Sequence, residues 1–351
     1  MAGAWRDGWR RVLAAPAIVA GVLAMTFLLA LPLAYTMRGL IEAHLGRSTV
    51  AAQAADSIDY DWWQEFTSQA SGIGATFTPT IIGFAATLDN MGSVLDGLSE
   101  AAPIAAALAA YAGGWLMLAG GIIDRYARQR PTRASGFFAA GGVYFFRFLR
   151  LGAVGALVYW FLFAYVHTWL FDDWYGDLTR GLDTERRAFA VRLAMYGVFA
   201  ALLIAANTLF DYAKVRMVVE DRRSAIGAML AALRFIGRNP WGVFGLYALN
   251  GLTFLAVVAI WAVVAPGVSG PGAAMWAAFA AGQLYVLARL LLKLQFLASA
   301  TAFFQARLAH AGYVSAPVAS WPDSPAAELM GPAEGSAEQC LPERRRQPES
   351  V

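Results

Sequence analysis

Apolar residues in this chain gather into six long runs. They lie at 13–36, 102–123, 148–171, 190–210, 241–265 and 273–293. Each is long enough to cross the roughly 30 Å of a bilayer's hydrocarbon core as a helix. The pattern predicts an all-α, polytopic membrane protein with about six transmembrane helices. Between the fourth and fifth runs the pattern changes. Ile226, Met229, Leu230, Leu233 and Ile236 recur at helical spacing and make one apolar stripe. Ser224 or Asp221 suits the start of that helix, Arg234 and Arg238 suit its C-terminal end, and Gly237 and Pro240 stop it. This reads as a short amphipathic elbow helix lying on the membrane surface.

The polar segments divide the chain into four parts. Residues 1–36 carry a basic N-terminus (Arg6, Arg10, Arg11) with Trp5 and Trp9 as interfacial anchors, then the first span. That apolar run exceeds the about 7–15 residues of a secretory signal core, so it reads as a retained helix. Residues 37–101 form an acidic loop, in which Ile58, Trp62, Trp63 and Phe66 share an interfacial face. Within it, 71–88 is apolar but interrupted by Pro79, which suits an interfacial hairpin or re-entrant segment better than a span. Residues 102–310 form a five-helix core, and 311–351 a polar tail of disordered composition. The second run is rich in small residues, Gly113, Gly114, Gly120 and Gly121 among them, which permit close helix contact in lipid.

Composition agrees with the pattern. The chain is 59% hydrophobic and 15% charged, and its mean hydropathy is +0.51. Soluble domains carry about a quarter charged residues. Basic residues cluster after the second run (Arg125, Arg128, Arg130, Arg133, Arg147, Arg150) and after the fourth (Lys214, Arg216, Arg222, Arg223, Arg234, Arg238). Placed on the cytoplasmic side, they predict both termini in the cytoplasm of a bacterial plasma membrane. The same basic residues read as topology signals and contacts to membrane lipids, not as a nucleic-acid surface.

Two stretches repeat. Asp124 and Asp211 each close an apolar run, and 23 residues on stand Arg147-Phe148 and Arg234-Phe235. Each unit reads as span, acidic residue, basic turn, amphipathic segment, Arg-Phe, span, in the same orientation. Two equivalent elbows would then lie side by side. The segments GGIIDRYARQRPTRASGFFAAGGVYFFRFLRL and Asp211–Pro240 resemble the membrane domain attached to some glycerophosphodiester phosphodiesterases. The resemblance covers 102–310 and implies a six-helix membrane fold. The soluble phosphodiesterase domain has no counterpart here, so its activity is not implied. TFTPTIIGFAATLDN and LLKLQFLASATAFFQARLAHAGY resemble a bacterial membrane-protein family that implies no reaction.

The chemistry on offer is sparse. HExxH, P-loop and GxSxG motifs do not occur, and the sequence suggests no catalytic residues, metal or cofactor. The three histidines (His44, His167, His310) fall in different segments, and Cys340 is the one cysteine. Asp61 and Glu65 share a helical face near Asp56, Asp59 and Trp62-Trp63. They would serve an acid–base pair or a calcium site, or simply form a solvated face. Asp124 and Asp211 suit interfacial ion pairs with Arg128 and Lys214, or a proton or cation path. Arg289 and Lys293, four apart on one face, suit snorkelling to the interface or an intramembrane binding role. Asn207, Asn250 and Gln283 suit hydrogen bonds between spans. Three functions follow: a non-enzymatic scaffold or accessory subunit with a membrane-protein partner or a second copy, a transporter or permease subunit, and an outer-face enzyme on a lipid or sugar.

Overall fold

The computed structural model describes residues 1–46, 48–56, 59–74, 77, 102–182, 184–266 and 272–307. Among them the elements are helical: α1 (Ala2–Leu13), α2 (Pro16–Leu45), α3 (Ala51–Asp56), α4 (Tyr60–Gln69), α5 (Ala102–Arg128), α6 (Ala134–Thr179), α7 (Glu185–Val219), α8 (Ala225–Arg238), α9 (Pro240–Val264) and α10 (Ala273–Arg307). Six of these, α2, α5, α6, α7, α9 and α10, are long and apolar enough to cross a membrane. The chain is an all-α, multi-pass membrane protein. Most of the 71–88 segment, the 311–351 tail, His310 and Cys340 lie outside the described residues.

The helices outrun the apolar runs. The 35 residues of α7 and of α10 reach about 52 Å at 1.5 Å per residue, well past a hydrocarbon core. α6 is continuous for 46 residues and widens into π turns over Leu162–His167 and Trp169–Trp174. This corrects the expectation of two equivalent elbows. In the second copy Asn239 leaves the helical region and Pro240 opens a new helix, so α8 is a separate element. In the first copy no proline interrupts, and the amphipathic segment runs straight into the third span.

The core is built around the second half of α10. Leu290, Leu294, Leu297, Ala298, Phe303 and Phe304 are all buried there, whereas the other spans leave most of their apolar windows uncovered. α1 lies along this half. Gly8 meets Ser299 so closely that a Cβ would stand 2.9 Å from its Cα. Gln295 donates to the Trp5 carbonyl at 2.8 Å. Buried Arg11 donates to Gln305 (2.7 Å) and to the Tyr126 carbonyl (3.0 Å), tying α1 to α10 and to α5. The N-terminus is therefore a docked helix, which the basic-anchor reading did not anticipate. α5 and α6 cross tightly where Gly121 faces the Phe137 carbonyl and Gly141 the Met117 carbonyl. Gly113 has nothing within 4 Å, so only part of the small-residue run acts in packing.

Ser224 caps α8 by accepting from the Gly227 amide at 3.1 Å. Three of the five stripe residues on α8 turn away from the core, while Met229 and Ile236 pack against it. Ile226, Leu230 and Leu233 are 65%, 51% and 55% exposed, while Ala225, Ala228, Ala232, Phe235 and Ile236 pack inward. Alanines allow the close approach, and the larger aliphatic residues are left as an outer face. α4 docks on the end of α2 through Trp62 and Phe66, which pack against His44 and Phe77.

Gly8→Val should lower stability in detergent by about 1–3 kcal/mol, because no room exists at Ser299. Gly3→Val, with nothing within 4 Å of its Cβ, should stay within about 0.5 kcal/mol. Thermal unfolding of the two variants side by side checks this.

Candidate functional site

The acidic residues of the two copies are drawn to different places. Asp124 is 6% exposed and takes both contacts of Arg128 Nε at 2.9 Å. Asp211 accepts from Lys214 at 2.8 Å. Both pairs were legible from spacing on a helix. Their depth was not. Asp124 stands four residues before the end of α5, and Asp211 eight before the end of α7. One extra turn sets Asp211 about 6 Å farther into the bundle. There it lines a cavity of about 700 Å³.

Five helices build this cavity. α7 contributes Asn207, Asp211 and Lys214, and α10 contributes Val286, Arg289, Leu290 and Lys293. α5 adds Tyr111 and Trp115, α9 adds Tyr247 and Phe254, and α2 adds Thr26. Thr26 lies about 15 Å, and Phe254 about 21 Å, along its helix from the N-terminal end. Those ends share one side of the bundle with the α5 C-terminus, where Arg125 donates to the Ala14 carbonyl at 3.1 Å. The space therefore reaches well into the spans.

Lys293 does not snorkel. Its Nζ sits 3.9 Å from the Trp115 ring centre and 4.5 Å from that of Tyr111, and donates to the Tyr111 hydroxyl at 3.1 Å. Ring faces attract an ammonium group, so the two aromatics of α5 hold it in the bundle. Arg289 lies over Tyr285 and stays exposed. Neither cation forms an ion pair with a carboxylate among the described residues. Asn207 donates to the Tyr247 hydroxyl across the α7–α9 side. Just beyond, Asn250 Nδ2 donates to Ser299 Oγ at 2.9 Å, while its buried Oδ1 has no partner among the described residues. Asn207 and Asn250 thus do bond between helices, as their place within spans suggested.

The remaining candidates separate as well. Arg147 is largely buried and pairs with Asp221 at 2.5 Å, joining α6 to the α7–α8 turn. Arg234 is exposed and has no ion-pair partner among the described residues. Their neighbours Phe148 and Phe235 are both core residues. In the turn, Glu220 binds Arg216 (2.8 Å) and Arg222 (2.5 Å). Burial alone would raise its carboxyl, yet the two arginines hold it below the ordinary glutamate range. Asp61 and Glu65 are exposed on α4. Asp59 caps that helix through the Trp62 amide at 3.0 Å. Trp62 donates to His44 Nδ1 at 3.1 Å, so it is turned toward α2 and away from the acidic face. Among the described residues no three His, Cys, Asp or Glu side chains come close enough to share a metal ion.

Sequence reading named Asp211 but missed the cavity's aromatic wall. Tyr111 and Trp115 look like ordinary span residues, and nothing along the chain ties them to Lys293. Arg147→Ala should destabilise the protein by about 1–3 kcal/mol by leaving Asp221 unpaired, whereas Arg234→Ala should stay within about 0.5 kcal/mol. Denaturation of both variants in the same detergent decides it. Comparison of the chain with protein-family models, with curated proteins and with solved structures finds no match in any of the three.

Proposed function

We propose that this chain is a non-enzymatic membrane protein of the transporter or permease-subunit class, and that the cavity between α2, α5, α7, α9 and α10 is its ligand site. One observation carries the reading. Charged, hydrogen-bonding and aromatic side chains from separate helices face a single space of about 700 Å³ inside the bundle. Charge among spanning helices is costly and is kept where it meets a partner or a ligand. The volume falls within the range of small-molecule sites. A pure scaffold has no use for Lys293 and Asp211 turned inward. The outer-face enzyme has the weaker support, since Asp61 and Glu65 stand apart on a solvated face and their tryptophans are engaged in packing.

The charge distribution supports an orientation with the Asp124 and Asp211 ends of the spans toward the cytoplasm of a bacterial plasma membrane. On that reading the cavity lies in the inner half of the bilayer, within reach of both the cytoplasm and the inner-leaflet lipid.

Native mass spectrometry of gently extracted protein tests the site. The wild-type chain should carry a small molecule or lipid at one per protein, and Thr26→Trp, which puts an indole into the cavity, should weaken or lose it. A stoichiometric protein partner with no cavity-dependent ligand would return the assignment to a scaffold. Orientation is tested separately. Cys340, the one cysteine, should resist an impermeant maleimide in intact spheroplasts and react once the membrane is opened. Ready labelling of intact cells would overturn it.

A further inference from the structure

We infer, resting on that reading of the cavity, that its ligand is an amphiphile whose headgroup is a phosphate monoester. The wall carries three cations, Lys214, Arg289 and Lys293, against one carboxylate, Asp211. Asp211 is taken up by Lys214. Arg289 and Lys293 meet only aromatic rings and the Tyr111 hydroxyl among the partners found for them in the described residues. Lys293 inside the cavity and Arg289 at its exposed edge are thus left without a carboxylate among the described residues, in a wall whose remaining polar groups, Thr26, Tyr111, Asn207 and Tyr247, are uncharged. Such a space selects an anion, since the anion restores the charge balance that the protein leaves open. A phosphate monoester brings about 1.5–2 negative charges near pH 7, while a phosphodiester brings one. It also suits the pair of donors. Arg289 offers a planar fork that takes two phosphate oxygens, and Lys293 a point charge.

The amphiphile follows from the apolar part of the lining. Phe254 on α9, and Val286, Leu290 and Phe296 interleaved with the cations on α10, also line the cavity and offer nothing to a hydrated ion. They suit the first part of an apolar chain, whose remainder would lie in the bilayer. The Asp211–Lys214 pair acts as an internal competitor, because the carboxylate occupies a cation that the phosphate would otherwise use.

The test uses the full chain in detergent and native mass spectrometry, with dioleoyl phosphatidic acid as the probe. Dioleoyl phosphatidylglycerol, dioleoyl phosphatidylcholine and inorganic phosphate serve as comparators. Phosphatidic acid should bind one per protein and more tightly than the other three. Arg289→Gln and Lys293→Gln should each weaken it by about tenfold. Asp211→Asn should strengthen it severalfold by freeing Lys214. That gain is a result a damaged fold does not imitate. Equal binding of phosphatidylglycerol, or no gain with Asp211→Asn, overturns the monoester assignment. Occupancy by inorganic phosphate as tight as by the lipid overturns the amphiphile. If a neutral or zwitterionic molecule fills the site and is lost in Thr26→Trp, the cavity reading stands and the phosphate inference falls. If phosphatidic acid binds equally to Thr26→Trp, it binds elsewhere and the phosphate inference falls; if the co-purifying molecule is also kept by Thr26→Trp, the cavity reading falls with it.

Discussion

A charge inside a bundle of spanning helices has to be given a partner, and that constraint accounts for much of this architecture. Asp124 closes on Arg128 within its own helix, and Asp211 on Lys214. Arg147 reaches from α6 to Asp221 in the turn after α7. Arg11 is satisfied by Asp7, Gln305 and the Tyr126 carbonyl at once. The pairings of Arg147 and Arg11 fix where separate elements meet. Lys293 departs from the rule. It is held by aromatic faces and a hydroxyl, with no carboxylate paired to it among the described residues, and the cavity lies beside it.

The second half of α10 gives these contacts a common support. Its small and aliphatic residues let α1 come close at Gly8 and Ser299, and Phe303 and Phe304 receive Phe235 from the elbow. Burial against protein on nearly every side sets this helix apart from the other spans, which leave most of their apolar surface for lipid. Two of the cavity's cations, Arg289 and Lys293, sit at the start of this buried half. A site built on such an element keeps its geometry better than one built on a loop.

The two copies of the repeat show why the cavity between α2, α5, α7, α9 and α10 takes Asp211 and not Asp124. The motif aligns Asp124 with Asp211, but the helices end four and eight residues later. One turn of difference leaves Asp124 at the closing turn and carries Asp211 to the cavity. A proline at 240 frees α8 in one copy, while the other copy runs on as one long helix. Arg147 and Arg234 accordingly have unlike surroundings despite their matched position. A repeat in sequence therefore supplies parts of one kind, and the ends of the helices decide the use of each.

The sequence by itself determined the fold class and the number of spans, and narrowed the cap of the elbow to Ser224 or Asp221. It also determined the short-range ion pairs of Asp124 and Asp211. These depend on apolar length, helical periodicity and residues three or four apart, all of which are local. Only the tertiary structure decided that the large aliphatic face of α8 turns outward while its alanines pack. It likewise decided that α1 docks on α10, that Arg147 meets Asp221, and that Lys293 lies between Tyr111 and Trp115. The last of these joins residues 182 positions apart in the chain. No local pattern encodes such a meeting, because it depends on how helices of unequal length pack around α10.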